Sequence, residues 1–166
     1  MFQRPGSVCR QELVPHEGEV ALWQRETVQS VADIAQVIDT ITAAATATAG
    51  LPADQMLRLR LALEEALVNA HKHGHQGDWT KPITLRYHVN ENGVVAEIED
   101  QGVGFDPAQV PDPLAPENLE RPSGRGLFLM RTYMSNVCHN EQGNCICLCR
   151  HCPGNAKPST KRFFGS

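Results

Sequence analysis

Aromatic side chains are scarce in this 166-residue chain, which has two tryptophans, two tyrosines and five phenylalanines, or 5% of its residues. Because 41% of the residues are nevertheless hydrophobic, a core must be built mainly from leucine, valine, isoleucine and alanine. No apolar run approaches the roughly 18 residues that a membrane-spanning helix needs. Arg4 and the Pro5-Gly6 pair stand where a signal peptide would have its apolar stretch. We therefore expect a cytoplasmic protein that does not bind a membrane.

An excess of basic residues is also missing. Fifteen Lys and Arg residues against nineteen Asp and Glu residues give a formal net charge of −4 at pH 7. A protein that binds nucleic acid broadly usually presents a basic face. We therefore expect no direct nucleic-acid partner.

Cysteines are the unusual part of the composition, because five of the six lie between residues 138 and 152. Disulfides are a weak interpretation, since this placement is lopsided and no secretion signal is recognisable. Cys149 and Cys152 have the spacing of one half of a zinc site, which would need a second pair of ligands elsewhere. The favoured interpretation is a group of small buried apolar side chains, in which strand alternation points Cys145, Cys147 and Cys149 to one face.

Hydrophobic periodicity and turn signals divide the chain into helices and strands. Ser30 fits the N-cap of a helix that closes at Gly50, and Pro52 starts a second, largely apolar helix that runs to about Lys72. A third helix is expected over 126–134. The expected strands are 19–28, 83–89, 94–100, 136–140 and 144–150, with hairpin turns at 91–93 and 142–143. This order of elements predicts an α+β protein, a two-layer α/β sandwich.

A long irregular segment, residues 101–124, is rich in proline and glycine and has little apolar pattern. Loops of that length inside a compact domain are uncommon and are usually either functional or disordered. For the whole chain we expect a flexible lead-in at 1–15, one domain at 16–151 and a flexible tail at 152–166.

Three short segments place polar residues where the hydrophobic pattern alone would not. In the first, Glu65, Asn69 and His73 have the spacing i, i+4, i+8 and so share one face of the second helix. A carboxylate and an amide one turn apart can share a hard cation and its waters, and the carboxylate can also accept a proton. The alternative is a solvated edge of the helix. For His73, a packing or hydrogen-bonding role at the helix end is favoured over a catalytic one.

The other two segments are built around glycines. Asp100-x-Gly102-x-Gly104 directly follows an expected strand, so its carboxylate could accept from an exocyclic amine while the glycines allow a ligand to approach closely. Gly124-x-Gly126 opens a helix, and a helix N-terminus offers unpaired N–H groups and a positive dipole end to a phosphate. Taken singly, the first of these could be only a turn and the second only a helix cap.

In this order the three segments resemble the N, G1 and G2 boxes of the Bergerat-fold (GHKL) ATPases. Within that superfamily the chain is most similar to the bacterial anti-sigma-factor serine/threonine kinases, the RsbW-like group. The helix at 61–70 and the stretch from 105 to 131 carry this likeness, which spans about residues 16–151 and is weak over the first 50. It implies the Bergerat ATPase fold, a mixed, mainly antiparallel sheet covered on one face by helices.

The resemblance also implies a role for each matching residue. Asn69 would coordinate the Mg²⁺ ion that bridges the phosphates of ATP, and Glu65 would be the catalytic general base toward the attacking hydroxyl. Asp100 would bind the amino group of adenine, and the loop from 105 to 123 would close over the nucleotide as a lid. The remaining nucleotide-binding residues would be Gly102 and Gly104 in the adenine pocket and Gly124, Arg125 and Gly126 at the phosphates.

The implied activity is ATP-dependent phosphorylation of a Ser or Thr on an anti-anti-sigma (STAS-type) partner. The same protein would sequester a sigma factor and would form a homodimer, as related kinases do. The alternative is a nucleotide-binding switch without kinase activity, against which Glu65 argues because a switch has less need of a base. A metal or redox protein built on the cysteines is a third class.

One position departs from the family pattern. Family members often place a Thr on the last strand near the adenine, and Cys147 is expected at that place. A thiol is a weaker hydrogen-bond donor and acceptor than a hydroxyl, so either weaker nucleotide binding or a different local water network is expected.

Overall fold

The computed structural model of the protein describes residues 23–112, 114–118 and 124–152. Its elements are β1 (Gln24–Val28), α1 (Val31–Ala49), α2 (Ala53–Asn69), β2 (Ile83–Asn90), β3 (Gly93–Glu99), α3 (Arg125–Tyr133), β4 (Asn136–His139) and β5 (Cys145–His151). One π-helical turn, Ala70–Gly74, continues α2 without a break. Among the described residues, no helix is both long and apolar enough to cross a bilayer.

The strands form one sheet in the order β1-β2-β3-β5-β4. Every pairing between these strands is antiparallel, so the parallel pair that a mixed sheet would contain is not among the described residues. The helices pack on one face of the sheet, where alternate strand residues join the main core. The predicted fold class, an α+β two-layer sandwich, is confirmed.

The helix boundaries follow from local chemistry. Ser30 caps α1 by accepting a hydrogen bond at 3.1 Å from the backbone N–H of Asp33, and Gly50 ends the helix in the left-handed conformation at φ 60°. In α2, Leu59, Leu63 and Leu67 follow each other at every fourth position and are fully buried. The first two helices predicted from the sequence are thus confirmed, and α2 contributes the central ridge of the core.

The end of the domain differs from the prediction. Cys152, which the sequence analysis assigns to the C-terminal tail, is buried. Its backbone N–H donates to the carbonyl of Asn92 at 2.8 Å, and its thiol donates to the carbonyl of Ala49 at 2.8 Å. The structured chain therefore extends one residue beyond 151, because Cys152 completes the last strand contact and bonds a carbonyl at the end of α1.

Several predictions concern residues outside the described ranges. These are the lead-in at 1–15, the first part of the strand expected at 19–28, residues 113 and 119–123 of the expected lid, and the tail from 153 onward. Within the described chain, the first strand starts at Gln24.

Candidate functional site

A cavity of about 1060 Å³ opens on the helix-covered side of the sheet. Its walls come from α2 and the π turn, the loop after β3, the start of α3 and the turn between β4 and β5. The predicted site residues that line it are Glu65, Asn69, Asp100, Gly104, Gly124, Arg125 and Gly126, and His73 lines it as well. The structure therefore brings together residues that are separated by up to about sixty positions in the chain.

At one end of the cavity, the polar face of α2 lies against the first turn of α3. A methyl group added at Gly126 would lie 2.6 Å from Glu65 Oε2 and 3.1 Å from Asn69 Nδ2. The carboxylate and the amide thus both face the helix N-terminus, where glycine leaves room for them. The amide and carboxylate oxygens of this face are hard ligands of the kind that Mg²⁺ uses, and Mg²⁺ usually takes one or two protein ligands beside waters and phosphates. The residues present therefore fit that ion.

At the other end, Asp100 is fixed where β3 runs into its loop. Its backbone N–H donates to the carbonyl of Asn144 at 2.9 Å, and its Oδ1 accepts from the backbone N–H of Gly102 at 2.7 Å. Burial raises the pKa of this carboxyl, while the Gly102 hydrogen bond and nearby His75 oppose the rise. Gly102 itself does not line the cavity among the described residues. Gly102 contributes indirectly, because the hydrogen bond from its N–H orients the carboxylate of Asp100.

Two glycine turns close the floor beside Asp100. Gly104 (φ 79°) and Gly143 (φ 76°) both have left-handed backbones that favour glycine. A side chain on Gly104 would overlap the carbonyl of Gln142, and one on Gly143 would overlap the carbonyl of Phe105. The loop after β3 and the β4–β5 turn therefore pack backbone to backbone, which the Asp-x-Gly-x-Gly pattern alone could not indicate.

The π turn after α2 changes the helical phase at the cavity wall. It shifts the backbone hydrogen bond by one residue, so that the N–H of His75 reaches the carbonyl of Ala70 at 3.0 Å. His73 is exposed at the cavity wall, which does not fit the packing role that the sequence offered for it beside a hydrogen-bonding one. His75, which the sequence analysis does not single out, is buried. Its Nε2 accepts a hydrogen bond at 2.9 Å from the backbone N–H of Gln101.

A second histidine at the site was also missed. His139, on β4, lines the cavity and is 8% exposed. Its ring meets that of Phe105 edge to face, with 5.3 Å between ring centres. Burial, followed by the nearby Arg131, lowers the pKa of His139 to about 4, so the ring is neutral at neutral pH. The sequence did not indicate that His139 belongs to the site, because it is the pairing of β4 with β5 that brings this side chain to the cavity.

The expectation for Cys147 is wrong. Its side chain packs with Val95 and Cys149 on the sheet face opposite the helices, and it is not among the residues that line the cavity. Ile146 lines the cavity instead, because alternate residues of a strand point to opposite faces. Cys147 and Cys149 share the face opposite the helices, as the alternation predicted, and their thiols lie 4.0 Å apart. In the described part of the chain, no group of three or more His, Cys, Asp or Glu residues is arranged to hold a metal ion.

The geometry suits an elongated anionic ligand. Asp100 offers a partly buried acceptor at one end, and the N–H groups at the start of α3 offer donors and a positive dipole end at the other. Pockets for small ligands measure about 300–1000 Å³, so this cavity is large enough for a nucleotide.

Comparison with known proteins agrees with this geometry. Residues 28–150 match the model of the histidine kinase-like ATPase domain. The chain is 33% identical over 95 residues to a protein of Listeria innocua named serine-protein kinase RsbW, over 54% of this chain and 60% of that relative. A protein of the same name from Bacillus licheniformis is 32% identical over 94 residues, or 53% and 59% of the two chains.

A third relative is the anti-sigma F factor of Clostridium perfringens, 29% identical over 87 residues, which cover 51% of this chain and 61% of that protein. The chain thus spans about three fifths of the length of the curated relatives that it matches. Because the family model covers most of the chain, the protein belongs to the family of histidine kinase-like ATPase domains. The predicted resemblance to this superfamily is confirmed.

Proposed function

We propose that this member of the histidine kinase-like ATPase family is an ATP-dependent protein serine/threonine kinase that acts as an anti-sigma factor. It phosphorylates an anti-anti-sigma partner of the STAS type and sequesters a sigma factor in the cytoplasm. The names of its relatives, serine-protein kinase RsbW and anti-sigma F factor, support this proposal.

The observation that carries the proposal is the approach of Glu65 and Asn69 to Gly126 at the start of α3. The N–H groups from Gly124 to Gly126 and the side chain of Arg125 bind the phosphates of ATP, and Asp100 accepts from the amino group of adenine. Asn69 holds Mg²⁺, which when bound neutralises charge on the phosphates. Glu65 accepts the proton of the substrate hydroxyl as that oxygen bonds to the γ-phosphorus and ADP leaves.

The proposal also covers the chain's organisation. Residues 16–151, with Cys152 packed against them, form the kinase domain, residues 105–123 act as its lid, and two copies of the chain associate as a homodimer without nucleic acid or membrane. The described part of residues 105–123 supports the proposed lid, since Phe105, Val110 and Pro111 line the cavity. Sedimentation of the purified chain with and without ATP tests the homodimer.

Substitution of Glu65 tests the chemistry. Purified chain is mixed with labelled ATP, Mg²⁺ and a candidate STAS-type partner, and phosphate transfer to the partner is measured. Because a positioned general base contributes about 10²–10⁴-fold, Glu65→Gln should reduce the transfer rate by that factor while ATP still binds. The matched control is Glu64→Gln, since Glu64 is the neighbouring carboxylate, is exposed, and does not line the cavity.

The alternative function, a nucleotide-binding switch without kinase activity, makes a different prediction. The wild-type chain would then bind ATP and its partner but transfer no phosphate. Undiminished transfer by Glu65→Gln would instead leave the kinase in place and refute the role of Glu65 as the base.

A further inference from the structure

His75 lies beneath the loop that carries Asp100, at the end of the π turn. The extra residue of the π turn rotates the chain after Gly74, which turns His75 into the protein interior. His75 is 1% exposed, so its ring is held in one place by its surroundings. It is a polar side chain at a position where an apolar one would avoid the cost of desolvation.

The ring makes one directed contact in the described part of the chain. Nε2 accepts a hydrogen bond from the backbone N–H of Gln101 at 2.9 Å. Nε2 therefore carries no proton, and the neutral ring has its proton on Nδ1. Nδ1 is buried and has no hydrogen-bond partner among the described residues.

The contact acts on the segment from Asp100 to Gly102. The N–H that His75 accepts belongs to the residue immediately after Asp100, and the next N–H, of Gly102, donates to Asp100 Oδ1. On the helix side, a side chain on Gly74 would overlap the carboxylate of Asp100. The end of the π turn thus contacts this segment twice: His75 bonds its backbone at Gln101, and Gly74 packs against the carboxylate of Asp100.

We propose that His75 is a positioning residue for the nucleobase: through the N–H of Gln101, its unprotonated Nε2 aims the Asp100 carboxylate at an exocyclic amino group of the purine. This inference rests on the proposed nucleotide site. It predicts that His75 affects the recognition of that amino group, and not the binding of the phosphates at the far end of the cavity.

The same contact makes recognition sensitive to pH. Burial lowers the pKa of His75 from its ordinary value of 6.5, and nearby Lys81 and His71 lower it while Asp100 and Asp78 raise it. The ring is therefore neutral at pH 7 and above. As the pH falls below 6.5 toward the lowered pKa, protonation of Nε2 removes the acceptor and the N–H of Gln101 loses its partner.

The test compares two nucleotides that differ only in the amino group. Dissociation constants are measured for ATP and for purine riboside 5′-triphosphate, which lacks the 6-amino group, with wild type, His75→Leu and His75→Gln. Because a hydrogen bond to a charged group is worth about 1.5–3 kcal/mol, wild type should prefer ATP by about tenfold or more. His75→Leu should lose most of this preference without weakening the purine nucleotide more than about twofold, while His75→Gln, whose amide oxygen can accept, should keep it.

The outcomes separate this inference from the proposed function. A wild type that binds both nucleotides equally, or neither, would overturn the proposed adenine site and this inference with it. A wild type that prefers ATP, together with a His75→Leu variant that keeps the preference, would overturn the role of His75 alone. Equal weakening of both nucleotides by His75→Leu would show a merely structural role.

If His75→Leu does not fold, His75→Met takes its place, because methionine is a flexible apolar side chain that adapts to irregular gaps in a core. Its sulfur is only a weak hydrogen-bond acceptor, so at pH 7.5 His75→Met should lose most of the preference for ATP that wild type and His75→Gln retain. A His75→Met variant that keeps the wild-type preference would contradict the proposal.

Discussion

Gly74 leaves a space beside Asp100 that any larger residue would occupy. A methyl group at this position would lie 2.6 Å from Asp100 Oδ2, so Gly74→Ala must displace the carboxylate or the helix end. We expect Gly74→Ala to weaken ATP binding by about tenfold or more, as loss of a hydrogen bond to a charged group does. Calorimetric titration with ATP measures the effect.

A matched control for Gly74→Ala lies three residues further along. Gly77 has a left-handed backbone at φ 81° and nothing within 4 Å of an added methyl group. Gly77→Ala should cost about 1 kcal/mol of folding stability through strain and leave ATP affinity unchanged. A Gly74→Ala variant that binds ATP as tightly as wild type would show that Asp100 does not contact the nucleotide.

Single residues were predictable from the sequence where a fixed helical period relates them. Glu65 and Asn69 lie four residues apart within regular α-helix, and the structure puts both at the cavity. His75 was missed because the π turn shifts the period just before it. Cys147 was assigned to the wrong face of the sheet because successive residues of a strand point to opposite faces. An error of one residue in matching this strand to the family pattern therefore moves a side chain from the cavity to the other side.

The burial of α2 against the sheet can be tested with two leucines of the same helix. Leu59 is fully buried, whereas Leu57 is 58% exposed. Leu59→Ala should lower the free energy of unfolding by about 2–5 kcal/mol because it leaves a cavity in the core. Leu57→Ala should change it by no more than about 0.5 kcal/mol, as most surface substitutions do. Urea denaturation of both variants gives the comparison, and similar losses would contradict the orientation of α2.

Helices and hairpins were predictable because their signals are local. The N-cap at Ser30, the left-handed Gly50 and the turn at 91–93 each act within a few residues of the element that they bound. The exposed part of the expected lid carried no such signal. Its short 3₁₀ turns, at 107–109 and 116–118, are held by local contacts of Asp106 and Asn118 that composition does not reveal.

At the scale of the whole molecule, the site depends on the order of strands in the sheet. β5 inserts between β3 and β4, which puts the turn at Gly143 beside Asp100 and brings His139 to the cavity. Hydrophobic patterns indicate the strands but not their neighbours in the sheet, since the apolar residues of one strand do not specify the strand with which it pairs. The sequence could therefore predict which residues have suitable chemistry, and only the topology explains why His139 and the β4–β5 turn join them.

Because the cavity joins elements from both halves of the chain, ATP should stabilise the whole domain. A ligand that binds only the folded state at a hundred times its dissociation constant adds about 2.7 kcal/mol, or about 5–10 °C in Tm for a domain of this size. Asn69 is the proposed Mg²⁺ ligand, so the shift should be larger with Mg²⁺-ATP than with ATP and EDTA.

In Asn69→Ala the two shifts should become equal, because the metal loses its protein ligand while the phosphates keep the N–H groups at the start of α3. Thermal melts monitored by circular dichroism, with and without nucleotide, measure both shifts in wild type and in Asn69→Ala. Glu64→Gln serves as a control that should retain the wild-type difference. If Asn69→Ala kept the full Mg²⁺-dependent shift, the ion would have to be held by ATP alone or by another residue. If ATP produced no shift in any protein, the cavity would not be a nucleotide site.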